Sequence, residues 1–158
     1  MRPVFCALLL LLPGLVLANT PEEGFETIAD AVYEGDAAAF MEGLSEANLQ
    51  QLEMMVAMVK MSPGDAAEQL SSELGEEITG DEILQWTAED LVAVLIAAPQ
   101  LQEQLPSREV LEVARCETDG DSATIFLLVP EVEEELPLLM VREGDDWKLG
   151  EPFMNMGG

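Results

Sequence analysis

The chain has 158 residues, of which 32 are acidic and 6 basic, with no histidine and a formal charge of −26. That balance excludes nucleic acid as a partner and disfavours anionic lipid headgroups, because both bind through basic stripes that this composition does not supply. The lack of histidine removes serine-hydrolase triads, Cys-His dyads and imidazole zinc sites from consideration.

At the start of the chain, Arg2 precedes an apolar run from Ala7 to Leu17, broken only by Pro13 and Gly14, and Val16-Leu17-Ala18 ends it with residues that a signal peptidase accepts. The run is shorter than the roughly 20 residues that span a bilayer. The expectation is therefore an export signal over residues 1–18, cleaved after Ala18, with no stable membrane insertion afterwards. Cys6 lies ahead of the apolar run rather than at the cut, which argues against a lipid anchor. Residues 19–158 read as one domain, periplasmic or secreted, with Lys60, Arg108, Arg115, Arg142 and Lys148 as its cations. Its one cysteine, Cys116, reads as a small buried apolar residue rather than a reactive thiol. The negative charge keeps such a domain soluble, and it also attracts Ca²⁺ or a basic partner.

Thr20-Pro21-Glu22-Glu23 carries an N-cap, a first-turn proline and a capping-box glutamate, so a helix is expected from Pro21 to Glu34. Phe25, Ile28, Ala29, Val32 and Tyr33 give it one buried stripe, and Gly35 stops it. Asp36 caps a short helix over residues 37–41 that ends near Gly43. Ser45 caps a third, from Glu46 to about Met61. Because Leu49, Leu52, Met54, Met55, Val56, Met58, Val59 and Met61 surround this third helix, it is expected to be central and well buried. A fourth helix is expected from Ala66 to Leu74, a further segment from Asp81 to Trp86, and another helix from Ala88 to Ala98 behind the capping signal Thr87-Ala88-Glu89-Asp90. Residues 100–108 read as a linker or frayed helix.

The character then changes to strands. Val110 to Glu117, Ser122 to Val129, Leu138 to Glu143 and Trp147 to Leu149 have strand length and composition, with Asp119-Gly120 and Gly144-Asp145-Asp146 as hairpin turns. An acidic loop from Pro130 to Glu135 joins the second and third. Helices followed by strands predict an α+β domain, its helices over about 20–105 packed on one face of an antiparallel sheet over about 109–150. The other sheet face is a candidate surface for a homodimer.

The Thr20-to-Glu23 helix start, the Glu34-Gly35-Asp36 junction into a short second helix, and the closing Val141-Arg142-Glu143-Gly144-Asp145-Asp146-Trp147-Lys148-Leu149 hairpin resemble the nuclear-transport-factor-2-like superfamily, in particular its small exported bacterial members. The resemblance covers residues 20–45 and 110–150, and its motifs are structural. It implies a curved sheet wrapped around helices as a cone with a pocket at the open end. Enzymes of the superfamily place an Asp base or a His/Asp pair in that pocket. This chain has no histidine, and none of its aspartates matches the motif of that base.

No catalytic, cofactor-binding or metal-binding residue is therefore assigned, and no cofactor is expected. Asp119-Gly120-Asp121 lacks the later ligands of a calcium loop, and Glu133-Glu134-Glu135 is a charge run. Met54, Met58 and Met61 share a helical face and, with Met154 and Met156, could hold Cu(I) through soft thioethers; core packing is the expected role instead. Trp86 and Trp147 read as core anchors. The leading function is a non-enzymatic module that binds a small apolar ligand or an envelope protein. The alternatives are an enzyme of the superfamily with a carboxylate base and a methionine-based copper binder.

Overall fold

The computed structural model describes residues 19–128 and 135–150. Residues 1–18, where an export signal is expected, most of the acidic loop, Met154 and Met156 lie outside the described residues. Seven α-helices and four strands are described: α1 (Pro21–Glu34), α2 (Ala37–Glu42), α3 (Glu46–Val59), α4 (Pro63–Leu74), α5 (Gly80–Ile83), α6 (Ala88–Ala97), α7 (Pro99–Gln104), then a 3-10 turn (Arg108–Val110), β1 (Glu112–Asp119), β2 (Ser122–Leu128), β3 (Glu135–Glu143) and β4 (Asp146–Leu149). The fold is α+β. The strands form an open antiparallel sheet in the order β1-β2-β3-β4.

Local chemistry places most boundaries where the sequence puts them. Thr20 and Glu23 form a full capping box on α1, and Gly35 closes that helix in the left-handed region at φ 71°, which costs a glycine nothing. Thr87 and Asp90 box α6 in the same way. Differences arise where a local device outruns composition. Helix α4 begins at Pro63 rather than Ala66, because proline at the first helical position lacks only an N–H that would be unpaired there anyway. The Asp81-to-Trp86 segment is helical only over Gly80–Ile83, opened by a capping box of Thr79 and Glu82. Pro99 likewise starts α7, so the stretch expected as a linker or frayed helix is helical as far as Gln104. The Arg108–Val110 turn delays β1 by two residues.

Strand β3 starts at Glu135 and includes Pro137. Pro137 pairs with Phe126 on the β2 side, while β4 reaches only to Met140 on the other, so the missing N–H falls beyond the β4 ladder. The β1–β2 register shifts between Val113 and Arg115. This edge-strand bulge lets Val113 and Cys116, three apart in sequence, both turn toward the helices.

Ala123, Ile125, Leu127, Leu138, Met140, Trp147 and Leu149 form the inner sheet face, and Phe25, Ile28, Phe40, Leu44, Leu52, Leu91, Val92 and Ile96 pack over it. Ala67 and Ile83 are buried under α4 and α5, outside that cluster. The free edge of β4 is covered by the link from α2 to α3: Leu149 N–H donates to Gly43 O (2.7 Å) and Ser45 N–H to Leu149 O (3.0 Å). Arg108 pairs with Glu26 and Asp30, and Tyr33 Oη donates to Pro106 O at 2.6 Å, tying the approach to β1 onto α1.

Candidate functional site

Helix α3 corrects the expectation of a buried central helix. Its inward stripe is Asn48, Leu52 and Val56, one residue per turn, with Leu49 and Met55 half-buried beside it. Asn48 is fully buried, and its side-chain amide donates to Leu149 O (2.7 Å) and Gly150 O (3.1 Å), bolting the helix start to the end of β4. At the same end, the Ser45 hydroxyl accepts from Asn48 N–H and the Glu143 carboxylate from Glu46 N–H at 3.0 Å. The helix is thereby held firmly at its start, and its principal helical neighbour is α6.

Opposite that stripe, Met54, Met58 and Met61 are 64%, 62% and 82% exposed, the three most exposed large apolar side chains among the described residues. They are not core gap-fillers. Scattered single apolar residues are normal on a protein surface, but Met54 and Met58 stand one turn apart on α3, with Met61 in the turn that follows it. The exposed charges on the same helix, Glu46 and Glu53, are both negative. Lys60, at the C-terminal end, lies close enough to Asp90 to help hold its carboxyl below the usual range, behind the larger effect of the Thr87 hydrogen bonds.

Glu53 and Val56 also line a shallow, open concavity of about 490 Å³ between α2, α3 and α6, with Met41, Thr87, Ala88 and Glu89. Both of its charged residues are acidic. A second concavity, of about 400 Å³, lies beside α4, α5 and α6 and includes Glu76, Glu77, Glu82, Asp90 and Trp86. Two of those carboxylates already serve the fold: hydrogen bonds from Thr79 hold the Glu82 carboxyl below its usual pKa, as those from Thr87 do for Asp90. Trp86 is half-buried against the core, and Trp147 is buried in it.

The buried polar residues among those described are Ser45 and Asn48, so no described carboxylate sits in the desolvated setting that makes a general acid or base. Among the described residues no three Asp, Glu or Cys side chains converge as a metal site; Asp119 and Asp121 flank the tip of the β1–β2 hairpin. Cys116 is half-buried on the inner side of β1, and burial pushes its thiol up, away from a reactive thiolate. On the outer sheet face, Leu128 and Leu139 are exposed beside the half-buried Phe126, whose ring lies 3.3 Å from the Arg115 guanidinium carbon. Arg115 is in turn paired with Glu117 and Glu135.

Comparison of the chain with protein-family models, with curated proteins and with solved structures finds no match. Sequence reasoning missed the exposure of the methionines on α3 and the anchoring role of Asn48. The signal for Asn48 was present, as a lone amide in step with Leu52 and Val56.

Proposed function

We propose that the protein is an exported, non-enzymatic binding module that presents the outward face of α3 to a partner protein. The row Met54, Met58, Met61 carries this reading: Met54 and Met58 lie one turn apart on α3, Met61 in the turn that follows the helix, and all three are exposed to solvent. Methionine suits such a surface because its unbranched, polarizable side chain fits differently shaped neighbours. The interior supports a partner over a small ligand, since Leu52, Ile125 and Met140, at 0% exposure, fill the space where helices meet sheet. The nuclear-transport-factor-2-like reading remains part of the proposal, supported by an opening helix, a short second helix and an antiparallel sheet in that chain order. The cone and end pocket of that superfamily are its finer claim. The outer sheet face is the weaker candidate, because Arg115 already lies over Phe126 and self-association would bring two chains of charge −26 together.

A photo-crosslinking residue at position 58, in the protein expressed in its own cells, tests the reading. The expected result is one discrete crosslinked protein in the extracytoplasmic fraction, absent when the same residue stands at position 119, with the recovered chain starting at Asn19. Identical products from both positions, or no product at 58, would overturn the binding face. A retained residue 1–18 segment on the functional protein would overturn export.

A further inference from the structure

We infer that the partner segment received by α3 is a basic amphipathic helix, its apolar side on Met54, Met58 and Met61 and its lysines or arginines over the acidic flank; this rests on the binding reading above. Charge complementarity selects the occupant. Glu46 and Glu53 are the exposed charges within α3, Glu89 lines the same concavity as Glu53 between α3 and α6, and Lys60 follows the last residue of the helix. An incoming helix therefore meets an apolar strip edged on one flank by carboxylates. A second copy of this chain, an acidic peptide or an anionic membrane would meet the same strip with like charge.

Geometry agrees with a helical occupant. An amphipathic helix docks on an exposed apolar face through anchors spaced three and four residues apart. The methionines recur at that same spacing, four and then three. Glu53, which lines the concavity, stands next to Met54 on α3 and brings a carboxylate to the edge of the methionine face. Flexible thioethers on the receiving side accommodate more than one arrangement of leucines or isoleucines on the incoming one.

The probe is a synthetic peptide of about 18 residues, long enough to lie along α3, with leucines at helical period and lysines elsewhere. Beside it stand a permuted peptide of the same composition and a leucine/glutamate analogue. Binding to the purified full chain is read by fluorescence anisotropy near physiological salt. The expected result is that the patterned basic peptide binds at least about tenfold tighter than the permuted one, and that Met54→Glu/Met58→Glu weakens it at least about tenfold, the scale of two methionine side chains returned to water.

That double variant makes the chain more negative, so attraction by charge alone predicts tighter binding, and the sign of the change separates the two. Met54→Gln/Met58→Gln repeats the test without added charge and stands in should the charged pair fail to fold. Equal affinity for both basic peptides, unchanged or tighter binding by the variants, or preference for the acidic peptide would overturn the inference. A discrete crosslinked partner at position 58 that lacks a basic helix would overturn it while leaving the binding module standing.

Discussion

Asn48→Asp is expected to destabilise the protein by about 3–5 kcal/mol at neutral pH, the scale of a buried charge left without a partner. The Asn48 amide nitrogen donates to Leu149 O and Gly150 O from a fully buried position, and the reversed amide would aim its oxygen at those two carbonyls. A carboxylate does the same with a full negative charge. Its folded-state pKa is therefore raised above the unfolded value, near 4 for an aspartate. The sign follows from linkage: relative to the parent, the deficit is smallest below that value, where the protonated carboxyl at position 48 donates one O–H. It grows as pH rises toward the folded-state value.

Asn48→Ala, for comparison, is expected to cost about 1–3 kcal/mol, the usual scale for hydrogen bonds lost from buried groups, with no such pH dependence. Leu149 O keeps its bond from Ser45 N–H, whereas Gly150 O loses its donor. Urea unfolding of the parent and the two variants at pH 4 and pH 7 decides it. A deficit of the Asn48→Asp variant that is the same at both values contradicts the assigned role of the amide.

Gly24→Val is expected to be the second large loss, about 3 kcal/mol, at the upper end of overpacking costs. A Cβ built at Gly24 would lie 2.7 Å from Trp147 O and 2.9 Å from Trp147 Cβ, and the nearer atom is backbone that cannot rotate away. Helix α1 must then lift from β4, carrying Phe25 and Ile28 off the inner sheet face. Propensity does not rescue the change, because a β-branched residue recovers little of the helix-forming advantage that alanine has over glycine. Gly64→Ala is the control of opposite sign. It lies in the first turn of α4, its Cβ would meet nothing within 4 Å, and the substitution is expected to stabilise by about 0.5 kcal/mol. Shifts of opposite sign in thermal melts separate steric contact from glycine flexibility as the reason for Gly24.

The fold was legible wherever a few neighbouring residues decide it. Capping boxes at Thr20 and Thr87, the stop at Gly35 and the two Gly-Asp hairpins are local devices, and each appears where the residues place it. What failed needed the third dimension. The latter half of helix α3 is apolar on nearly every side, and that composition fits a helix surrounded by its own chain as well as one with a face left in solvent. Burial of Leu52 and exposure of Met54 distinguish the two cases. The β1 bulge was hidden because a shifted register makes Val113 and Cys116 face the same way against strict alternation. Pro137 lies inside β3, and what permits it, the short reach of β4 along that strand, has no local signature.

Peroxide footprinting of the purified full chain, read methionine by methionine by mass spectrometry, tests the account most directly. Met54, Met58 and Met61 are expected to oxidise quickly in the free protein while Met140, fully buried, stays protected. Addition of the patterned basic peptide is expected to slow all three together. Oxidation of those three as slow as that of Met140 in the free protein would show that the chain covers its own methionine face, and rates unchanged by bound peptide would show that the peptide sits elsewhere.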